Sequence, residues 1–196
     1  MELFSTFHDK EEINVLDLGC GVGRNSIPLA KALENRKGKV VCVDLLESAI
    51  QKLQLYANKF NVEDKIECKL SDIGNYRIDA TSYDFIFAVS SLEHLDSEET
   101  LDHIVADIMR GTKASGINSF IMSTNVSEKN IDSGKSLDPV YELNFDTEYL
   151  LDKLQGMYTG WKCLNYSIKP YEIEIEREGE RILLHGDVLT WVVKNE

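Results

Sequence analysis

The stretch LDLGCGVGRNS, residues 16–26, constrains the fold more than any other part of the chain. A short apolar run reaches Gly19, and glycines follow at Gly21 and Gly23 before the chain turns helical. Glycine alone visits positive φ at no steric cost, so this spacing reads as a tight turn that lets backbone approach a ligand. A strand that ends in such a turn and restarts as a helix is the opening unit of an α/β domain.

The unit recurs along the chain. Residues 13–18 and 39–44 are short β-branched runs, 66–70 alternate, 83–90 are apolar and aromatic, and 117–124 form a fifth strand candidate. Helical stripes lie between them: Ile27, Ala30 and Leu33, with Pro28 tolerated in the first turn; then Ile50, Leu53 and Ala57. The clearest stripe is Leu101, Ile104, Val105, Ile108 and Met109, opened by a capping box at Asp96-Ser97-Glu98-Glu99 and closed near Gly111. After a further helix at 146–155 the pattern turns strand-like at 162–168, 171–176 and 181–193, with a turn at 177–180. The spacing predicts a doubly wound, mostly parallel seven-stranded sheet with an antiparallel C-terminal strand. Its 196 residues suit one domain, 1–196.

Three ligands use a glycine loop of this kind. A phosphate-cradling P-loop needs Gly-Lys-Ser/Thr, and no lysine follows these glycines. A dinucleotide loop is G-x-G-x-x-G, whereas here the pattern is G-x-G-x-G. Asp17, just before the glycines, would repel a pyrophosphate and attract an ammonium or sulfonium. S-adenosylmethionine carries both cations and no phosphate. Asp44 ends the second strand and can accept both ribose hydroxyls; Asp72 follows the third and can accept from the adenine amino group, with Ile73 on the ring. Three acids at successive strand ends would line one crevice.

Together these stretches resemble the class I S-adenosylmethionine-dependent methyltransferases. VLDLGCGVGR is similar to the family's first motif, VCVD to its second, SDI to its third and YDFIFAVSSLEHL to its fourth. The resemblance implies the Rossmann-like methyltransferase fold and S-adenosylmethionine as cofactor, with S-adenosylhomocysteine as product. It implies a binding set of Asp17, Gly19, Cys20, Gly21, Gly23, Arg24, Asn25, Asp44, Leu45, Asp72, Ile73, Val89 and Ser90. Cys20 fills the loop, its backbone at the cofactor.

The acceptor side is expected near Ser90, Ser91, Glu93 and His94, where His94 is the candidate general base because imidazole titrates near neutrality; Glu93 is expected in solvent. The Asn-Pro-Pro-Tyr signature of amide- and nucleobase-methylating enzymes is absent after the fourth strand. The formal net charge of −13 also disfavours nucleic acid. Both point to a small-molecule acceptor. DLGCGVGRNSIPLA and FDTEYLLDKLQGMYTGWKCLNY are similar to tellurite-resistance-type methyltransferases. That resemblance implies a tellurite or selenium oxyanion as acceptor, Arg24 at the methionine carboxylate and Arg181 at the oxyanion. The chain departs from that group where it has a His-Arg pair: here stand Glu172, Glu174 and Glu176. The few residues before the first strand hold Phe4, Phe7 and His8, a short cover for the site or a frayed end. Other small thiols, hydroxyls or carboxyls remain as acceptors, as does a non-catalytic cofactor-binding regulator. Four dispersed cysteines without a CxxC pair, and no apolar run of the roughly 18 residues a membrane span needs, fit a metal-free cytoplasmic protein, monomeric or homodimeric.

Overall fold

The structure is a computed structural model that describes residues 6–196. Four strands and two helices build the first half: β1 (Val15–Leu18), α1 (Ser26–Ala32), β2 (Val40–Asp44), α2 (Glu47–Lys59), β3 (Ile66–Leu70) and β4 (Tyr83–Val89). The second half holds α3 (Glu98–Gly111), β5 (Thr112–Asn130), β6 (Ser136–Leu137), α4 (Thr147–Met157), β7 (Lys162–Arg177) and β8 (Glu180–Lys194). The sheet order is β3-β2-β1-β4-β5-β8-β7, with the two-residue β6 added beside β5. β1 to β5 pair in parallel, and β8 runs antiparallel to both neighbours. The expected mostly parallel sheet with β8 reversed forms, and the short β6, also antiparallel, makes an eighth strand.

The apolar runs explain the layering. β1 is buried at every residue and β4 at all but its last, as central strands covered on both faces must be. One face packs on α3 and α4 through Leu16, Ile86, Leu101, Ile108, Phe120 and Leu150. The other packs on α1 and α2 through Val15, Phe85, Phe87, Ala30 and Leu53. Fully burying a leucine- or phenylalanine-sized side chain contributes about 1.5–3 kcal/mol. α3 begins in the expected stretch but with a simple cap instead of the Asp96–Glu99 box: Ser97 is the N-cap, and its hydroxyl accepts the Thr100 N–H at 3.2 Å; Asp146 caps α4 by accepting from Tyr149 N–H at 3.0 Å.

Three expectations change. β5 is longer than 117–124: it begins at Thr112 and continues to Asn130 past a register shift between Thr124 and Ser127, where Asn125 takes φ +50°. The stretches 162–168 and 171–176 are one strand, because β7 is a sheet edge that tolerates Pro170. It turns into β8 through Glu178 and Gly179, both at positive φ, as a two-residue hairpin loop requires. Phe7 is no cover for the site. It is buried against Phe85 beneath the sheet's amino-terminal end, and its carbonyl accepts from Arg36 at 2.8 Å. His8 is exposed beside Asp9, and Phe4 lies outside the described residues.

Candidate active site

β1 is flanked by β2 on one side and β4 on the other, so the chain reverses its winding direction there. Open α/β sheets bind ligands in the crevice above such a point. The glycine loop leaves β1 into that crevice. Gly19 and Cys20 both donate their N–H to Val43 of β2, at 2.8 and 3.0 Å, which staples the loop to the neighbouring strand. Gly19 sits at φ +79°, and a Cβ there would lie 2.2 Å from Ser91 Cβ, so no other residue fits. Gly21, at φ +52°, faces open space instead: an added Cβ meets nothing within 4 Å.

Acids stand at the ends of the next two strands. Asp44 accepts Gly21 N–H at 2.7 Å and Leu46 N–H at 2.9 Å, which leaves free lone pairs on both oxygens. Asp72 accepts Gly74 N–H at 2.7 Å in an Asx turn that presents the carboxylate at the crevice. Across from them β4 ends at Val89. Ser90 follows at φ +51°, and the Ser91 hydroxyl donates to Leu18 carbonyl at 2.7 Å.

Gly19, Gly21, Asp44, Leu45, Asp72, Ile73, Ser90 and His94 line one cleft of about 500 Å³, within the range of small-molecule sites. Among the described residues, no Lys or Arg lines it. A second lobe of about 250 Å³ shares Asp72, His94, Leu95 and Glu142 with the cleft and adds Asn75, Asp96 and Thr100. Three carboxylates (Asp44, Asp72 and Glu142), a bare glycine face and no lysine or arginine among the described residues suit a positively charged ligand with ribose hydroxyls and no phosphate. S-adenosylmethionine fits that description.

His94 stands where cleft and lobe meet. Its Nδ1 lies 2.8 Å from Glu142 Oε2, and its ring stacks on Tyr141 with centroids 5.4 Å apart. The hydrogen bond to His94 holds the Glu142 carboxyl below the usual carboxylate range. Glu93, expected in solvent, is fully buried. Its Oε1 accepts Ser123 N–H at 3.0 Å and its carbonyl accepts Leu143 N–H at 2.9 Å, so it ties the His94 turn to β5 and to the segment carrying Tyr141 and Glu142. Burial raises the Glu93 pKa, and its Oε2 and the nearby Tyr171 hydroxyl have no partner among the described residues.

Several expected residues lie elsewhere. Asp17 does not line the crevice. It is buried beneath the loop and accepts the Ser26 hydroxyl; burial, opposed by that bond and reinforced by Asp44, pushes its pKa up to about 7. Cys20 fills the loop as expected, its thiol buried beside Cys42, and that contact together with burial raises its pKa. Gly23 and Arg24 open onto a groove on the far side of the loop. Asn25 is an exposed cap residue of α1 whose side chain makes no capping bond, and half-buried Val89 packs on the α1–α2 face. Arg181 is on the β7–β8 hairpin, exposed and paired with Glu174 at 2.7 Å and Asp132 at 3.4 Å, away from the cleft. Leu46, Leu95, Tyr141 and Glu142 were not singled out from sequence, and the last two carry no local signal.

Comparison with known proteins agrees with this geometry. A family model described as a methyltransferase domain matches residues 15–116. The chain is 24% identical over 130 residues to the carboxy-S-adenosyl-L-methionine synthase of Shewanella sediminis, covering 66% of this chain and 52% of that protein. It thus spans about half of that relative's length. It is 24% identical over 185 residues to the ubiquinone biosynthesis O-methyltransferase of Rickettsia typhi, covering 81% of this chain and 71% of the relative. A solved SAM-dependent methyltransferase of Methanosarcina mazei shares the fold with a TM-score of 0.68 at 16% identity, covering 97% of this chain and 96% of that one. Glycine loop, strand-end acids and family match converge: the chain belongs to the family of S-adenosylmethionine-dependent methyltransferase domains.

Proposed function

We propose that residues 1–196, acting as one domain, transfer the methyl group of S-adenosylmethionine to a hydroxyl of a small-molecule acceptor held in the lobe beside His94. The observation that carries this reading is the His94–Glu142 pair on the wall of the cleft opposite Asp44 and Asp72. In this reading Gly19, Gly21, Ser90, Asp44 and Leu45 meet the methionine and ribose parts, and Asp72 and Ile73 meet the adenine. The cofactor supplies a sulfonium-activated methyl group. His94 would take the acceptor's proton on Nε2 as the acceptor's O–C bond replaced the methyl's bond to sulfur, S-adenosylhomocysteine being the leaving group, while Glu142 fixes the Nδ1–H tautomer and stabilises the imidazolium. Positioning supplies most of the remaining rate, because the reaction is an in-line displacement.

The tellurite- or selenium-type acceptor is the competing reading. Asp72, Asp96 and Glu142 around the lobe, and the pairing of Arg181 elsewhere, favour a neutral acceptor over an oxyanion. The name of the Rickettsia typhi relative, an O-methyltransferase, leans the same way. The test measures S-adenosylhomocysteine formed with a panel of phenols, catechols, thiols, tellurite and selenite. Turnover on hydroxyl compounds, with an acid-side loss of rate that His94→Ala abolishes, supports the proposal. Turnover on tellurite or selenite alone, or cofactor binding with no turnover at all, overturns it.

A further inference from the structure

The cations of this acidic chain are mostly paired or scattered, but one group is neither. On the side of the glycine loop away from the cleft, α1 and α2 bound a groove of about 320 Å³. Ile27, Pro28, Tyr56 and Phe60 form its apolar floor, with Arg24 and Lys31 at the rim. Tyr56 and Phe60 are 39% and 42% exposed, large aromatic faces left in water. The Lys31 ammonium stands 4.3 Å from the Phe60 ring centroid and that of Lys59 5.8 Å, so both are drawn over the ring. Arg24, Lys31 and Lys59 have no carboxylate partner among the described residues, and no acid lines the groove.

We propose that this groove is a second binding site, distinct from the cofactor cleft, for a small planar aromatic anion such as an aryl carboxylate or sulfonate. Charge complementarity selects the ligand's sign: Arg24 and Lys31 line the groove and Lys59 stands over its Phe60 ring, all without a carboxylate partner among the described residues, on a chain whose formal net charge is −13. The exposed rings select its shape, since a flat aromatic body covers Tyr56 and Phe60 while its anionic end meets Arg24 and Lys31. The volume suits one or two rings. Arg24 thus keeps the carboxylate-binding chemistry that its place after the glycines suggested, directed at another molecule. The groove also touches the loop: Gly23 opens onto it, and a Cβ there would lie 2.3 Å from Leu53 Cδ1, so loop and α2 pack without slack.

The test uses 8-anilinonaphthalene-1-sulfonate as the aromatic anion and the uncharged N-phenyl-1-naphthylamine as its control, each titrated by fluorescence into the folded full chain. One saturable site for the sulfonate is expected. Its affinity should fall roughly tenfold or more in Lys31→Glu and in Phe60→Ser, the scale of one lost charge-assisted contact, and should be unmoved by saturating S-adenosylhomocysteine. The neutral control should bind roughly tenfold more weakly. Three results overturn the proposal: wild-type affinity in both variants, displacement by S-adenosylhomocysteine, or equal binding of the neutral control. Both substituted side chains are exposed or half-exposed, and circular dichroism checks that each variant keeps its fold. None of these readings depends on methyl transfer.

Discussion

Asp17 offers the sharpest test of the physics beneath the glycine loop. Its carboxyl is buried, and its pKa is pushed up to about 7 from an ordinary 3.8. Between those values the folded protein holds a proton that the unfolded chain has released. Raising the pH through that window therefore draws the equilibrium toward the unfolded state. The protonated form stabilises the fold below the unfolded pKa, and that contribution is gone once the pH passes the folded one. Integrating the linkage relation with these two pKa values gives a loss of about 2–3 kcal/mol between pH 5 and pH 8. Asp17→Asn removes the titration and keeps an oxygen to accept the Ser26 hydroxyl. Its new N–H₂ costs about 1–3 kcal/mol if it finds no acceptor, but that cost is the same at every pH. The slope is therefore diagnostic and the offset is not. Urea unfolding at pH 5, 6, 7 and 8 should show wild type losing about 2–3 kcal/mol relative to Asp17→Asn across the series. Parallel stability curves for the two proteins would refute the reasoning, and would mean that Asp17 is ionised in the fold at pH 5.

Asp44→Ala should weaken S-adenosylhomocysteine binding by about 1.5–3 kcal/mol, the scale of hydrogen bonds to a charged group; unchanged affinity in calorimetry would remove Asp44 from the cofactor site. Gly19→Ala, whose Cβ would sit 2.2 Å from Ser91 Cβ, should lower the unfolding midpoint far more than Gly21→Ala, whose Cβ meets nothing. Gly21→Ala should cost about 1–3 kcal/mol of backbone strain but chiefly reduce cofactor affinity; equal destabilisation by the two would contradict the open face at Gly21. Glu93→Ala orphans the Ser123 N–H and should cost about 1–3 kcal/mol in thermal unfolding, whereas Glu93→Gln keeps the acceptor and should stay close to wild type. Identical losses in both would show that the Ser123 bond contributes nothing.

The sheet was legible because its central strands are buried on both faces, which leaves little room for anything but VLDL and YDFIFAV. Local grammar also carried the Ser97 cap and the 177–180 turn. What it did not carry depends on contacts between distant residues. The second half of β5 reads as polar, yet Glu128 is buried there because Arg177 grips both its oxygens, at 2.8 and 3.0 Å, from across the sheet. Pro170 looks like a break until β7 is known to have a single neighbour. The site divides the same way. Gly19, Gly21, Asp44 and Asp72 were readable because backbone geometry and strand ends fix them. Glu142 and Tyr141 were not, since tethers from Glu93, Glu128 and Val126 hold their segment in place. Arg24 and Arg181 lie outside the cleft: one opens onto the groove behind the loop, and the other is paired on a hairpin.

The strand order has a consequence for how the molecule is made. β8 lies between β5 and β7, and β7 has no other neighbour in the sheet. Ile117 pairs with Lys194 and Asn118 with Val193, so β5 waits for residues more than 70 positions further along before its outer edge is covered. Until β8 has left the ribosome, β7 has nothing to pair with and β5 offers a long unpaired edge. Such edges invite pairing with other chains. The sheet thus depends on β8, made after both strands it joins, for its closure, and a chain cut short within β8 would lose two strands for the price of one.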